Sequence, residues 1–285
     1  MAQTESKTWF ITGCSTGFGR ELAKAVLAKG YRAVVTARDP KQVEEITAGH
    51  EGRSLTLRLD VTDEALVAES VRRAEEHFGH IDVLVNNAGI GYFAAVEESD
   101  EAEVRRMFEI NFFGLAKMTH AVLPGMRKRR SGHIVNVSSI GGLAAFPGVV
   151  YYNATKFAVE GLSEGLAKEV APLGIKVTLV EPSGFRTDWA GRSANESPVE
   201  IADYAETAGA NRRRLREGSG RQPGDPALAA EAIIRAVEAP KPPLHLLLGN
   251  FALESARQKL EALRLDFDEW AETTTGVDSP VGSAN

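Results

Sequence analysis

Apolar residues recur along this chain in short, nearly continuous runs separated by longer segments of helical periodicity. The runs are Thr8 to Thr12, Tyr31 to Thr36, Leu55 to Leu59, Ile81 to Val85, His133 to Val137, Ile175 to Val180 and Leu244 to Leu248. Runs without polar alternation are the mark of parallel strands covered on both faces. Between them, Arg20 to Lys29, Asp63 to Phe78, Glu101 to Arg129 and Tyr152 to Ala171 read as helices, with Leu22, Val26 and Leu27 inward in the first. Asp225-Pro226 reads as an N-cap followed by proline at the first helical position, opening a helix over Ala227 to Glu238. This alternation predicts an α/β fold: one doubly wound sheet of about seven mainly parallel strands, helices on both faces, in a single domain over residues 1–285. The stretch of about 188–224 is polar and irregular. A long connection beyond the carboxyl ends of such strands is expected to be a substrate lid. The tail of about 274–285 is small and polar and is expected to fray.

Composition narrows the classes. The chain is 43% hydrophobic and 25% charged, ordinary for a soluble globular protein. A net charge of -6 argues against broad nucleic-acid or anionic-membrane binding. Two basic runs, Arg127 to Arg130 and Arg212 to Arg214, are expected to be solvated. One cysteine, Cys14, excludes an intramolecular disulfide and fits a reducing, cytoplasmic setting. Without a long apolar run or a signal-like start, neither export nor membrane spanning is expected. His77 and His80 have no further His or Cys cluster with them, so no metal site is expected.

Candidate chemistry lies at two places. Thr12-Gly13-Cys14-Ser15-Thr16-Gly17-Phe18-Gly19 falls between the first strand and the first helix. Glycines there permit a tight turn, and free amides at a helix N-terminus favour a pyrophosphate. The second strand ends in Thr36-Ala37-Arg38-Asp39. Ala37 stands where an NAD enzyme tends to carry an acid, and Arg38 follows, which favours the 2′-phosphate of NADP(H), with NAD(H) as the alternative. Tyr152 and Lys156 are four apart and share a helix face. An ammonium near a phenol stabilises its ionised form and suits it to acid–base work.

Five matches make the chain resemble the short-chain dehydrogenases/reductases, oxidoreductases of Rossmann fold. They are the Thr12–Gly19 loop, Asn86-Asn87-Ala88-Gly89, Asn111, Ser138-Ser139, and Tyr152-Asn153-Ala154-Thr155-Lys156. The resemblance covers nearly the whole chain, and its motifs fall in family order. It implies Tyr152 as general acid in carbonyl reduction and base in alcohol oxidation. Lys156 would lower its pKa and hold the nicotinamide ribose. Ser139 would bond the substrate oxygen, with Ser138 as the alternative hydroxyl, and Asn111 would position a water. Gly13, Ser15, Thr16, Gly17, Phe18 and Gly19 would cradle the cofactor phosphates, and Arg38 would bind beside its ribose. Asp60 and Val61 would meet the adenine, and Asn87, Ala88 and Gly89 would line the adenosine side. Pro182 and Thr187 would flank the nicotinamide. Two departures stand out: Pro182-Ser183-Gly184 has serine at the family's glycine place, and Phe18 replaces the usual isoleucine. The resemblance further implies a homodimer or homotetramer, paired through the helices near Glu101 to Arg129 and Tyr152 to Ala171.

Tyr92, Phe93, Phe146 and Trp189 are expected to face the substrate, with core packing as the alternative for Phe146. Their apolar, aromatic character suggests a lipophilic ketone, aldehyde or secondary alcohol, as does similarity to the branch of 17-beta-hydroxysteroid and retinol dehydrogenases. Two rival readings remain. Gly13 to Gly17 formally matches G-x-S-x-G, which would make Ser15 a hydrolase nucleophile with His245 as the late histidine. A non-catalytic NADP-binding sensor would keep the loop but could dispense with Tyr152 or Lys156, and both are present.

Overall fold

The computed structural model describes residues 6–278. Residues 1–5, and 279–285 of the expected tail, lie outside the described part. Seven strands form one parallel sheet: β1 (Thr8–Ile11), β2 (Arg32–Ala37), β3 (Ser54–Arg58), β4 (Val83–Asn86), β6 (Gly132–Val137), β7 (Ile175–Pro182) and β9 (His245–Leu248). They run in the order β3-β2-β1-β4-β6-β7-β9, so the chain reverses its winding between β1 and β4. At such a switch point the strand ends splay and leave a crevice. β5 (Gly91–Phe93) and β8 (Ala194–Glu196) pair separately beyond it, with Tyr92 opposite Asn195.

Residue alternation within the strands builds two cores. Trp9, Ile11 and Val35 face one side, with Leu22, Val26 and Leu27 of α1 (Gly17–Ala28) and Ile233 and Ile234 of α8 (Pro226–Glu238). Phe10, Val34 and Leu84 face the other. There α3 (Glu64–Phe78), α5 (Leu115–Arg129) and α6 (Val150–Val170) cover them. A short α2 (Glu44–Thr47) precedes β3. Asp225 caps α8 as expected, accepting from the Ala227 amide at 2.8 Å.

The expected helix from Glu101 is three pieces: α4 (Glu101–Phe108), a π-helical turn (Glu109–Gly114) and α5. A π turn inserts one residue into the helical ladder and re-aims the side chains within it. Here it carries Asn111. Gly114, at its end, presses so close to Val61 that a Cβ would lie 2.6 Å from Val61 Cγ2.

The stretch 188–224 holds short helical turns, β8 and α7 (Ala210–Glu217). Arg212 is not solvated: it is buried, donates to the Ser197 carbonyl at 3.3 Å and pairs with Glu200. A short helix, α10 (Ala271–Thr275), covers the first two residues of the expected tail. Sequence reasoning placed no helix after the last strand, yet α9 (Asn250–Glu269) is 20 residues long. Among the described residues no helix is long and apolar enough to cross a membrane.

Candidate active site

The turn after β1 is built by close approach. Gly13 sits at φ +71 and Gly17 at φ +58, the left-handed region that residues with side chains avoid. A Cβ on Gly13 would lie 2.9 Å from Ala88 Cα, and one on Gly19 2.4 Å from Asn87 Nδ2. Ala88 and Asn87 cause this crowding, and Asn87 is fastened there by its side chain. Its Nδ2 donates to the Thr12 and Gly13 carbonyls, each at 2.9 Å. Thr16 is the N-cap of α1, but its side chain makes no capping bond. The first amides of α1 are thus left to a ligand, and with the helix dipole they suit a pyrophosphate.

From this turn a cleft of about 1160 Å³ runs over the carboxyl ends of the strands. Every residue expected to hold the cofactor lines it except Gly19, which lies beneath the turn. Arg38 stands at the rim beyond buried Ala37. Burial works against the Asp60 charge, but the Thr62 amide and hydroxyl, with Arg38 and Arg58, hold its carboxyl below the usual range. Phe18 meets Phe185 edge-on at 5.0 Å, a packing role open to an aromatic ring at the isoleucine place.

Tyr152 and Lys156 project from α6 into the same wall. Lys156 Nζ donates to the Val137 carbonyl at 2.8 Å and lies 5.7 Å from the Tyr152 ring centroid. Ser139 caps the short turn after β6 and accepts from the Gly141 amide at 3.0 Å. Ser139 also hydrogen-bonds Tyr152. Ser138 points elsewhere: it is buried and donates to the Glu160 carboxylate. The two adjacent hydroxyls are thereby separated, and Ser139 is the one beside the phenol.

Without cofactor, ionisation in this wall is set first by burial. Burial pushes the Tyr152 phenol up to about 12, against the Ser139 hydrogen bond. Burial likewise pulls the Lys156 ammonium down to about 8, with Glu160 countering. Desolvation is the largest cause in both groups, and at neutral pH Tyr152 holds its proton.

Asn111 is buried and lies outside the cleft lining. Its Oδ1 accepts from the Ile90 amide at 2.8 Å, and its Nδ2 donates to the Ile90 carbonyl at 2.9 Å and to Thr155 Oγ1 at 3.2 Å. It fastens the cleft-lining segment after β4 to α6.

Phe146 and Trp189 line the cleft, and the Trp189 ring lies 4.7 Å from that of Tyr152. Tyr92 and Phe93 do not line it. Tyr92 is buried, its hydroxyl accepting from the Asp100 amide at 2.9 Å. Phe93 is fully buried between Trp189 at 5.5 Å and the Arg216 guanidinium at 4.7 Å. Adjacent in β5, the two rings point to opposite faces of the strand, and both are buried away from the cleft lining. Sequence reasoning missed Phe251, which joins the lining from α9 with its ring 5.9 Å from Phe146. The serine at the glycine place is matched across the sheet. Ser183 donates to the Leu248 carbonyl at 3.2 Å, and Gly249, at φ +95, leaves room where a Cβ would lie 2.4 Å from Ser183 Oγ.

Behind the wall lies a grouping that sequence reasoning did not anticipate. Glu160, Glu181 and His245 present ligand-type atoms within 4.8 Å of one another. His245 Nδ1 lies 2.7 Å from Glu181 Oε1. Burial raises both Glu160 and Glu181 well above the carboxylate range; the Ser138 hydrogen bond opposes it at Glu160 while the Glu181 charge adds to it, and at Glu181 the Glu160 hydrogen bond opposes it while the Glu164 charge adds to it. A proton held in this buried acid pair removes the charge that burial penalises. His245 is thus bound up with two acids at the sheet edge and does not line the cleft, whereas Ser15 lies on the glycine turn within it. That placement gives no support to a hydrolase dyad.

Comparison with known proteins agrees with this geometry. The short chain dehydrogenase family model matches residues 7–197. Oxidoreductase BOA17 of Botryotinia fuckeliana is 41% identical over 269 residues, covering 94% of this chain and 97% of that one. Human retinol dehydrogenase 8 is 36% identical over 259 residues, covering 84% and 80%. Among solved structures, a short-chain dehydrogenase from Streptomyces avermitilis superposes with a TM-score of 0.91 at 43% identity, covering 98% of this chain and 100% of that one. A short-chain dehydrogenase/reductase from Burkholderia phymatum in complex with NAD gives 0.81 at 25% identity, covering 93% and 97%. ElxO with NADP bound gives 0.72 at 28%, covering 87% and 99%.

The acid pair fixes a pH dependence. Both folded-state pKa values lie above the unfolded one, so the folded chain binds more protons in between. The stabilisation is full below the ordinary value of 4.5 and is lost as pH rises toward about 8. His245 and Glu164 also face the pair. Glu181→Gln removes one titrating group at nearly constant shape. Its unfolding free energy, measured by denaturant titration at pH 5 and pH 8, should fall less between the two than that of the parent. An equal fall would contradict the assignment.

Proposed function

The chain belongs to the short-chain dehydrogenase family, and we propose that it is an NADP-preferring oxidoreductase acting on a lipophilic carbonyl or secondary alcohol, with Tyr152 as its proton-transfer group. One observation carries this reading: Ser139, Tyr152 and Lys156 converge on one wall of a cleft whose other end is the glycine turn.

The bound nicotinamide would supply or take the hydride. The rest is work for side chains of this protein. In reduction, Ser139 donates a hydrogen bond to the carbonyl oxygen and orients it toward Tyr152. Tyr152 gives its phenolic proton to that oxygen as charge develops there. Lys156, held by the Val137 carbonyl, presents an ammonium that stabilises the phenolate left behind. Oxidation reverses the roles. Asn111 acts at one remove by fixing the Ile90 backbone at the cleft edge.

The lining supports the choice of substrate. Phe146, Trp189 and Phe251 give the substrate end an apolar, aromatic surface. The relative named retinol dehydrogenase 8 acts, by that name, on a lipophilic alcohol, in keeping with this surface. The stretch 188–224 serves as the lid: Trp189 brings it against Tyr152, and β8 ties it to β5. The preference for NADP rests on Arg38 at the rim, with Ala37 where an acid would exclude the 2′-phosphate. NAD complexes among the structural neighbours keep NAD(H) as the second cofactor to test.

Two substitutions test the proposal. Tyr152→Phe should leave NADPH affinity within a few-fold and lower kcat on a carbonyl panel by about 10²–10⁴; undiminished turnover would remove Tyr152 from its role. Arg38→Asp should shift the ratio of kcat/KM for NADPH over NADH toward NADH by at least about tenfold, the scale of a lost charge-assisted bond. An unchanged ratio would take Arg38 out of cofactor selection.

A further inference from the structure

The lid has two limbs that meet over Phe93. One limb runs from the short turn Asp188–Ala190 to β8 and carries Trp189. The other is α7. Its start is moored to the body, where Asn211 Nδ2 donates to the Pro147 carbonyl at 2.7 Å. Arg216, near its end, reaches across to the first limb. Its Nη1 donates to the Ala190 carbonyl at 3.0 Å and the Gly191 carbonyl at 2.7 Å, and its Nη2 donates to the Ala194 carbonyl at 2.9 Å. Its Nε pairs with Glu196 at 2.9 Å. All three nitrogens of the guanidinium are thus spent on one short stretch of chain. Its Cζ lies over the Phe93 ring, 4.7 Å from the centroid, a cation on an aromatic face. Trp189, next in the chain to the first of those carbonyls, has its ring 5.5 Å from Phe93 and 4.7 Å from Tyr152. The indole is closely seated: a Cβ on Gly91 would lie 3.1 Å from Trp189 Cζ2.

We propose that Arg216 is a positioning residue for the substrate end of the cleft: it staples the two limbs of the lid together and so holds Trp189 against Tyr152. The proposal rests on the reading of Tyr152 as the proton-transfer group and of Trp189 as substrate wall. The carbonyl bonds are the staple. They are charge-assisted, hence stronger than neutral bonds, and a planar fork of fixed donors can hold several carbonyls at once, which a lysine ammonium on a flexible stem cannot. The Glu196 pair adds little, because that carboxylate is half exposed and screened by water. Arg213, exposed on the same helix, makes no such bridge; it donates to the Ala205 carbonyl at 3.3 Å, in the turn that leads into α7. β8 is pinned to β5 at 194–196, so the part of the limb that depends on Arg216 is the part that carries the indole. With the staple removed, that part lifts, water reaches the phenol, and a lipophilic substrate loses one wall.

The chain's three tryptophans report on separate places: Trp9 is in the core, Trp189 in the lid and Trp270 on the surface. Fluorine NMR of the full chain labelled with 5-fluorotryptophan reads all three, with Trp189→Phe to assign the lid signal. The shift of each resonance between H2O and D2O measures its contact with solvent. In Arg216→Lys, and by a second route in Arg216→Gln, the Trp189 isotope shift should rise toward that of Trp270. Trp9 should keep its parent value, which shows the fold intact. Glu196→Gln, which leaves the carbonyl bonds in place, and Arg213→Lys should leave all three signals where they are. On a carbonyl panel, Arg216→Lys should raise KM for the carbonyl at least about tenfold, one step of RT ln 10, with KM for NADPH within a few-fold. An unmoved Trp189 signal in both Arg216 variants, an equally large release in Glu196→Gln, or an equal rise in both Michaelis constants would overturn the proposal. A parent that turns over no carbonyl would sink the proposed activity instead, and the fluorine signals would then decide the staple by themselves.

Discussion

The active wall depends on desolvation. Tyr152 and Lys156 are both buried, and each is pushed toward its neutral form, the phenol up and the ammonium down. Neither can carry charge cheaply without the other or without a further cation in the cleft. This constraint explains the neighbourhood. Lys156 is anchored by the Val137 carbonyl, Ser139 reaches the phenol, and Trp189 closes over the ring. If Tyr152 is the proposed proton-transfer group, a wall that keeps it protonated at rest is a wall ready to donate. A change of charge beside it is what would release the proton.

The scaffold serves this wall by rigid placement. β6 delivers Ser138 and Ser139 at its carboxyl end, and α6 delivers Tyr152 and Lys156 one turn apart. The glycine turn is packed so tightly under Asn87 and Ala88 that a side chain is excluded at Gly13 and Gly19. Asn111, on a π turn, ties the segment after β4 to α6. Two adjacent serines do opposite jobs: one faces the chemistry, and the other holds a buried acid pair at the sheet edge.

Much of this was legible in the residues. Continuous runs such as Phe10-Ile11 and Val83-Leu84-Val85 gave the parallel sheet, because a strand buried on both faces needs no polar side. The glycine turn and the Tyr152–Lys156 pair were legible because backbone contact and shared helix face impose fixed spacing. What stayed hidden depends on tertiary contact. Tyr92 and Phe93 read as pocket lining, yet the pairing of three-residue strands β5 and β8 turns them inward. The meeting of Glu160, Glu181 and His245 joins residues far apart in the chain, which no local pattern encodes. Arg212 read as solvated because its partner, Glu200, comes from outside its own helix.

The central claim is that burial keeps the Tyr152 phenol neutral until positive charge enters the cleft. Carbon-13 NMR of protein labelled at tyrosine Cζ, with Tyr152→Phe to assign the resonance, measures this directly. The account predicts that the resonance stays in its protonated position to pH 10 in the protein alone and titrates at markedly lower pH when the oxidised cofactor is bound. A Tyr152 phenol that titrates at the same pH with and without oxidised cofactor would contradict it.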